Sequence, residues 1–191
     1  MQATDIIDAL TRALPGDPAR FQALDTGDGT PTILVAPEAL VEACRVLRDD
    51  PALGFVFLAD ILPIDFHPRE PRFEVNYLLA SLGVGGYGST PKRLRLKVRV
   101  AGLDPRVPSV ADVWPAANWA EREAYDFFGL QIDGHPDLRR LLMPDDWEGF
   151  PMRKDYPVQI KEAVKVRWPL QVSEEEFIAN IEAARERARE D

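Results

Sequence analysis

Hydrophobic and charged residues alternate strictly from Arg93 to Val100, within the segment Lys92–Val100 that is the clearest element in the chain. Leucine or valine occupies the even positions from 94 to 100, and arginine or lysine occupies the odd positions from 93 to 99. This period of two predicts a strand with one face on a core and a basic face outside. Phe55–Phe66 and Arg72–Leu82 are rich in aromatic and β-branched residues and predict two further strands. Short links between the three favour an antiparallel meander.

The first fifty residues show helical spacing on both sides of two short strands. A helix is predicted after Thr4, strands at Phe21–Leu24 and Thr32–Val35, and a helix from Pro37 to Arg48. Cys44 falls on the apolar face of the second helix, where a small core residue is expected. Together these patterns predict an α+β protein, an antiparallel sheet with helices on one face.

Aromatic and charged residues are most concentrated between Trp114 and Pro157, where a helix is predicted from residue 117 or 118 to a stop at Gly129. At 100° per residue, one arc holds five apolar residues and also contains Glu123. The five are Trp119, Ala120, Ala124, Phe127 and Phe128. This arc is expected to face inward, with Arg122 and Asp126 paired on the opposite side.

A carboxylate among aromatic residues requires a positively charged or N–H-rich partner. Glu123 is therefore expected to meet a cation, either from this chain or from another chain. Within the chain the candidates are Arg139, Arg140 and Arg153. Arginine in proline-rich loops favours interface ion pairs, which gives Arg139, Arg140, Arg153 and Lys154 a second interpretation as partner contacts. The basic face of the 92–100 strand likewise suits either solvent or an acidic neighbour.

The amino-acid composition limits the kinds of binding or catalytic site that this chain can form. The 191 residues include one cysteine and two histidines, too few thiolates and imidazoles for a metal or iron–sulfur site. A net charge of −9 argues against binding nucleic acid or anionic lipid. No apolar run long enough to span a membrane and no secretory signal is present, so a protein in or facing the cytoplasm is expected.

The chain is expected to have three parts: a globular α+β domain at 1–130, a loop-rich partner-contacting extension at 131–172, and a C-terminal helix at 173–191. Many of its seventeen prolines follow Asp104. Long proline-rich loops and an extended segment need a surface to lie on, which is typical of a subunit in an assembly. Ser173, with Glu176 three residues later, is suited to begin the last helix.

Four segments between residues 50 and 157 resemble one family. They read EREAYDFFG from Glu121, GHPDLRRLL from Gly134, PMRKDYP from Pro151, and FLADI from Phe57 with Asp65-Phe66 downstream. This pattern is similar to the C-type subunit of NADH:quinone oxidoreductase (respiratory complex I), a family also present in related membrane-bound hydrogenases. The family often has His where Phe150 stands, so no role for that imidazole carries over.

The resemblance implies a non-redox structural subunit of the hydrophilic arm, on the cytoplasmic side of the inner membrane, with no membrane span and no nucleic-acid partner. Its main neighbour would be the large hydrogenase-like subunit at the quinone site. FMN and iron–sulfur clusters are expected in partner subunits, and no cofactor, metal or catalytic residue in this chain. The signature and subunit-interface residues would be Glu121, Arg122, Glu123, Asp126, His135, Pro136, Arg139, Arg140, Arg153, Lys154, Asp155 and Tyr156.

Two alternatives stay open. The first is the equivalent subunit of a membrane-bound nickel–iron hydrogenase or of a related oxidoreductase complex. The second is a free-standing acid–base enzyme, which would need a pocket holding carboxylates with strongly shifted pKa values near Glu123.

Overall fold

The computed structural model describes residues 1–82 and 92–157, together with residues 175, 178 and 179, which are helical. The chain divides into two compact units, Met1–Tyr156 and Pro157–Asp191. The three helical residues fall within the predicted C-terminal helix. The rest of that helix and the predicted extended segment 158–172 lie outside the described residues.

A five-stranded sheet forms the centre of the first unit, in the order β1-β2-β5-β4-β3. The strands are β1 (Phe21–Leu24), β2 (Thr32–Val35), β3 (Phe57–Asp65), β4 (Phe73–Ser81) and β5 (Lys92–Val100). The predicted β3-β4-β5 meander is confirmed, but β2 pairs with β5 in parallel, with Ile33 opposite Leu96. The sheet is therefore mixed, and the prediction of a purely antiparallel sheet is wrong on this point. Only pairing between strands adjacent in sequence was predicted, whereas β2 pairs both with β1 and with β5, a strand about sixty residues away.

Three helices and a small parallel ribbon complete the unit. They are α1 (Ala3–Ala13), α2 (Leu40–Asp49), β6 (Arg106–Pro108), α3 (Ala117–Phe128) and β7 (Gln131–Asp133), where β6 pairs with β7. Short 3-10 turns precede β1 and α2. The predicted α+β class is confirmed.

One face of the sheet carries the core. Phe73, Val75 and Tyr77 of β4 are at most 1% exposed, and the leucine and valine residues of β5 are buried beside them. Apolar residues of α1, α2 and α3 join them in one hydrophobic cluster, so the helices cover one face as predicted. Cys44 is fully buried there, and burial raises the pKa of its thiol, in agreement with its predicted place in the core.

The other face of the sheet carries the basic residues of β5. Glu74, 4% exposed, accepts from Lys97 at 2.7 Å and from Arg99 at 3.0 Å. Arg95 pairs with Asp28 at 2.8 Å. Since three of the four cations already have carboxylate partners within the chain, the structure favours a self-contained polar face over an unpaired basic surface.

Candidate functional site

Helix α3 packs on the core through a stripe of small residues and one carboxylate. Ala117, Glu121, Ala124 and Phe128 are all buried, at spacings of four, three and four residues. The helix stops at Gly129, whose φ of 68° lies in the left-handed region. That part of the helix prediction is confirmed.

The predicted orientation of α3 is only partly correct. Ala124 and Phe128 are buried as predicted, whereas Glu123 is exposed and Trp119 is 62% exposed, so that side of the predicted arc faces outward. No cation of the described residues forms an ion pair with Glu123. Small alanine side chains let α3 approach the sheet closely, whereas Trp119 on that face would hold it away. The buried acids of α3 are instead Glu121 and Asp126.

Glu121 is 1% exposed and fully hydrogen-bonded. Its carboxylate accepts from the Ser109 hydroxyl and from the Val110 N–H, both at 2.6 Å. Burial raises the pKa of Glu121, and these two hydrogen bonds act in the opposite direction. The site joins α3 to the turn that follows β6. Sequence reasoning singled out Glu121 only as part of the signature.

His135 lies beside Glu121, with its Nε2 3.9 Å from the carboxylate and its side chain fully buried. Its Nδ1 accepts from the Asp137 N–H at 3.0 Å, so Nε2 carries the proton and donates to the Asn118 carbonyl at 3.0 Å. Both ring nitrogens are therefore occupied by the chain itself. This arrangement gives His135 a structural role, holding the turn that contains Pro136 against the start of α3.

Asp126 anchors the loop that follows this turn. One carboxylate oxygen accepts from Arg140 at 2.8 Å, and the other accepts three backbone N–H groups at 2.7 to 3.0 Å. The three donors are Leu141, Leu142 and Met143. Burial alone would raise the pKa of Asp126, but these bonds outweigh it and hold the pKa below its ordinary value. The predicted Arg122–Asp126 pair is wrong, because Arg140 occupies that carboxylate.

Arg122 instead binds the backbone of the same loop. It donates to the carbonyls of Arg139 at 3.2 Å and Arg140 at 3.0 Å. Its guanidinium lies 5.2 Å from the centre of the Trp119 ring. Arg139 itself is exposed and pairs with Asp137 at 2.9 Å.

A third buried carboxylate belongs to Asp65, at the end of β3. It binds residues near the C-terminal end of the first unit. Arg72 donates twice to Asp65, at 2.9 and 2.8 Å, and twice to Asp155, at 2.9 and 2.7 Å. The Lys154 N–H also donates to Asp65 at 2.9 Å. Burial would raise the pKa of Asp65, and its bonds to Arg72 and to backbone N–H groups lower it well below its usual range. Sequence reasoning missed Arg72 and gave Asp65 no role of its own, although Asp65-Phe66 belongs to the family pattern.

Arg153 is enclosed by aromatic rings rather than by carboxylates. Its guanidinium lies 4.7 Å from the Phe150 ring centre and 5.4 Å from that of Phe73, and it donates to the Phe128 carbonyl. Burial, followed by the nearby Arg72 charge, lowers the pKa of Arg153. Tyr156, which donates its hydroxyl to the Glu148 carbonyl at 3.3 Å, ends this packed region.

Residues 134–156, here termed the strap, thus lie on α3 and the sheet as one ordered segment. In the described part of the chain, the strap contains neither helix nor strand. Its order comes from Asp126 and Asp65, which accept from strap backbone N–H groups and from Arg140, and from Arg122, which donates to two strap carbonyls. The sites predicted at Asp155, Lys154, Arg140 and His135 all belong to it. The arrangement is suited to presenting a rigid surface.

The described residues form neither a metal site nor a membrane-spanning helix. Within 1–82 and 92–157, no three His, Cys, Asp or Glu side chains are grouped so as to hold a metal ion. In the same residues no helix is both long and apolar enough to cross a bilayer.

Comparison with known proteins shows the family. Residues 33–162 match the family described as the respiratory-chain NADH dehydrogenase 30 kDa subunit. The chain belongs to this family, which confirms the resemblance seen in the sequence. It is 47% identical over 140 residues to a C-type subunit (number 2) of the NADH-quinone oxidoreductase of Rhizobium etli (strain CIAT 652), covering 73% of this chain and 71% of that protein. It is 45% identical over 157 residues to the C-type subunit of the NADH-quinone oxidoreductase of Roseiflexus sp. (strain RS-1), covering 82% and 85%.

Two solved structures are also similar. A trypsin-resistant fragment of Nqo5, residues 1–134, aligns over 72% of this chain and all of that chain, with 34% identity and a TM-score of 0.57. A chain of the membrane-bound sulfane sulfur reductase, an archaeal respiratory membrane complex, aligns over 81% of this chain and 85% of that chain. Its TM-score is 0.64 and its identity 22%, so this second likeness concerns the fold alone.

Proposed function

We propose that this chain is the C-type subunit of a proton-translocating NADH:quinone oxidoreductase and works there as a structural subunit without a redox centre. It supports electron transfer from NADH to quinone through partner subunits, which hold FMN and iron–sulfur clusters. Its place is the hydrophilic arm, on the cytoplasmic side of the inner membrane. Family membership and the two NADH-quinone oxidoreductase relatives support this proposal.

The observation that carries the proposal is the strap. A segment of more than twenty residues without helix or strand is uncommon in a compact domain unless it has a function. Here it is held by two buried carboxylates, Asp65 and Asp126, and three of its residues, Leu142, Trp147 and Met152, leave large apolar side chains exposed. Such an ordered surface suits binding to another subunit.

The same geometry argues against a free-standing acid–base enzyme. The buried carboxylates Glu121 and Asp126 are at most 1% exposed, and each is fully occupied by donors of the chain itself. A general acid or base must reach the proton that it transfers. Glu123, the acid for which such a role was considered, is exposed to solvent, and the described residues do not enclose it in a pocket.

The main partner in this proposal is the large hydrogenase-like subunit at the quinone site. Residues 131–172 would make the contacts, with Arg139, Lys154 and Tyr156 among them. The trypsin-resistant Nqo5 fragment spans 72% of this chain, which is consistent with a protease-resistant domain followed by a partner-bound C-terminal region.

The test is affinity purification of a tagged chain from gently solubilised native membranes, with mass spectrometry of the co-eluting subunits. We expect a large assembly with flavin, several iron–sulfur subunits and NADH-oxidising activity. A nickel–iron hydrogenase set would instead identify the related complex. Recovery of a lone chain would overturn the proposal.

A further inference from the structure

The outer side of α3 carries a stripe that is largely exposed to solvent. Trp119, Glu123 and Phe127 are spaced four residues apart, so their side chains follow one another along one side of the helix. Trp119 is 62% exposed, Glu123 is exposed and Phe127 is half-buried. These residues are part of the family signature or adjoin it. Phe127 also packs against the core, whereas Trp119 and Glu123 lie outside the hydrophobic cluster.

The strap brings two residues with exposed apolar side chains to α3. The Leu142 N–H donates to Asp126 at 2.7 Å, and Leu142 is 59% exposed. The Met152 N–H donates to the Phe127 carbonyl at 3.1 Å, and Met152 is 56% exposed. The signature patch is defined here as Trp119, Glu123, Phe127, Leu142 and Met152.

The patch is also pre-organised. The Arg122 guanidinium lies against the Trp119 ring at 5.2 Å and is itself fixed by two strap carbonyls. Leu142 and Met152 are held by their backbone N–H groups. Little backbone freedom is therefore lost when a partner covers the patch. Tryptophan, phenylalanine and methionine are the side chains enriched in the centres of protein interfaces.

Glu123 specifies the chemistry of the partner. No Lys or Arg of the described residues forms an ion pair with it. Covering the patch with a purely apolar surface would leave this carboxylate buried and unpaired, which is strongly unfavourable. The complementary surface must therefore carry a cation that reaches Glu123, surrounded by apolar side chains that cover Trp119 and Phe127.

We propose that the signature patch docks a partner subunit of the assembly through one arginine or lysine that pairs with Glu123 inside an apolar contact. This inference rests on the proposed function and specifies one contact within it. The experiment distinguishes this partner subunit from two other occupants of the patch, a second copy of the chain and the chain's own C-terminal unit.

The test uses the tagged full-length chain in native membranes, with Glu123→Gln, Glu123→Arg and Trp119→Ala compared against Asp8→Asn. Asp8 is an exposed carboxylate in the middle of α1 and serves as the matched control. We expect Glu123→Gln to reduce the recovered assembly several-fold, and Glu123→Arg and Trp119→Ala to reduce it tenfold or more. Asp8→Asn should give the wild-type yield. Urea unfolding of each purified chain should match the wild type, since the altered side chains are exposed.

A photo-cross-linking amino acid at position 152 then identifies the occupant. A cross-link to a partner peptide that contains Arg or Lys, with restored assembly when that residue is changed to Glu in the Glu123→Arg background, supports the proposal. A cross-link to the C-terminal unit or to a second copy overturns it, as does wild-type yield from Glu123→Arg. Recovery of the wild-type assembly is scored separately. Its failure would count against the proposed function, whereas intact assembly with insensitive variants would count against the patch alone.

Discussion

Replacing Asp126 by asparagine would remove one negative charge from the centre of the strap with almost no change in shape. The remaining oxygen can still accept the loop N–H groups, but the new amide then points its own donors at Arg140. The Arg140 guanidinium, whose side chain is 14% exposed, loses its carboxylate. Asp126→Asn therefore leaves a nearly buried cation facing two further donors.

The expected loss follows from the local geometry. Breaking a buried ion pair by removing one partner costs about 3 to 5 kcal/mol. Arg140 keeps three carbonyl acceptors, those of Asp126, Trp147 and Gly149, and a contact with the Phe150 ring, so the lower end applies. We expect about 3 kcal/mol, which for a domain of this size lowers Tm by about 6 to 12 °C.

The assay is urea unfolding of the full-length chain followed by tryptophan fluorescence, in which buried Trp114 reports on the core. Glu123→Gln is the matched control on the same helix and should stay within about 0.5 kcal/mol of the wild type. In the double variant with Arg140→Leu, the losses should be clearly smaller than additive. A loss below about 1 kcal/mol for Asp126→Asn, with an unchanged m-value, would refute the reasoning.

Three further predictions concern the same region. Gly129→Ala should lower the free energy of unfolding in urea by about 2 kcal/mol more than Gly134→Ala. Both glycines have a positive φ, but only at position 129 would a Cβ meet the Phe150 ring. Equal losses for the two variants would contradict this. Burial raises the pKa of Glu121 in the folded state. Its contribution to the free energy of unfolding is therefore complete below the unfolded-state pKa near 4.3 and is lost as the pH rises. The stability of Glu121→Gln relative to wild type should thus increase from pH 4 to pH 7, and a flat difference would contradict this. Arg72→Met should make the strap sensitive to limited trypsin digestion while β3 and β4 stay protected, and an unchanged cleavage pattern would show that the guanidinium does not hold it.

Much of the fold could be predicted because it follows local periods. The strict alternation in β5 and the helical spacing in α1 and α2 place the same residues in the core that the structure buries there. The parallel pairing of β2 with β5 could not be predicted this way. It joins residues about sixty positions apart and depends on which strand reaches the free edge of the meander.

The site was harder to predict because distant donors decide which acids are buried. Glu121 is satisfied by Ser109 and Val110, and Asp126 by residues 140–143, and neither set is evident from α3 itself. A signal was nevertheless present. Ala117, Glu121, Ala124 and Phe128 have the four-three-four spacing of a buried stripe, and giving small residues more weight than aromatic ones would have turned the helix correctly.

The bonds that hold the strap also impose an order of events during synthesis. Asp65 binds the Lys154 N–H, 89 positions later in the chain, and Asp126 binds the 141–143 backbone. The ribosome releases β3 and α3 first, and the strap has nothing to dock on until both are in place. A chain with a misfolded core consequently cannot form the strap surface. In the docking proposed above, assembly would thereby be conditional on correct folding, and a misfolded subunit would not be incorporated.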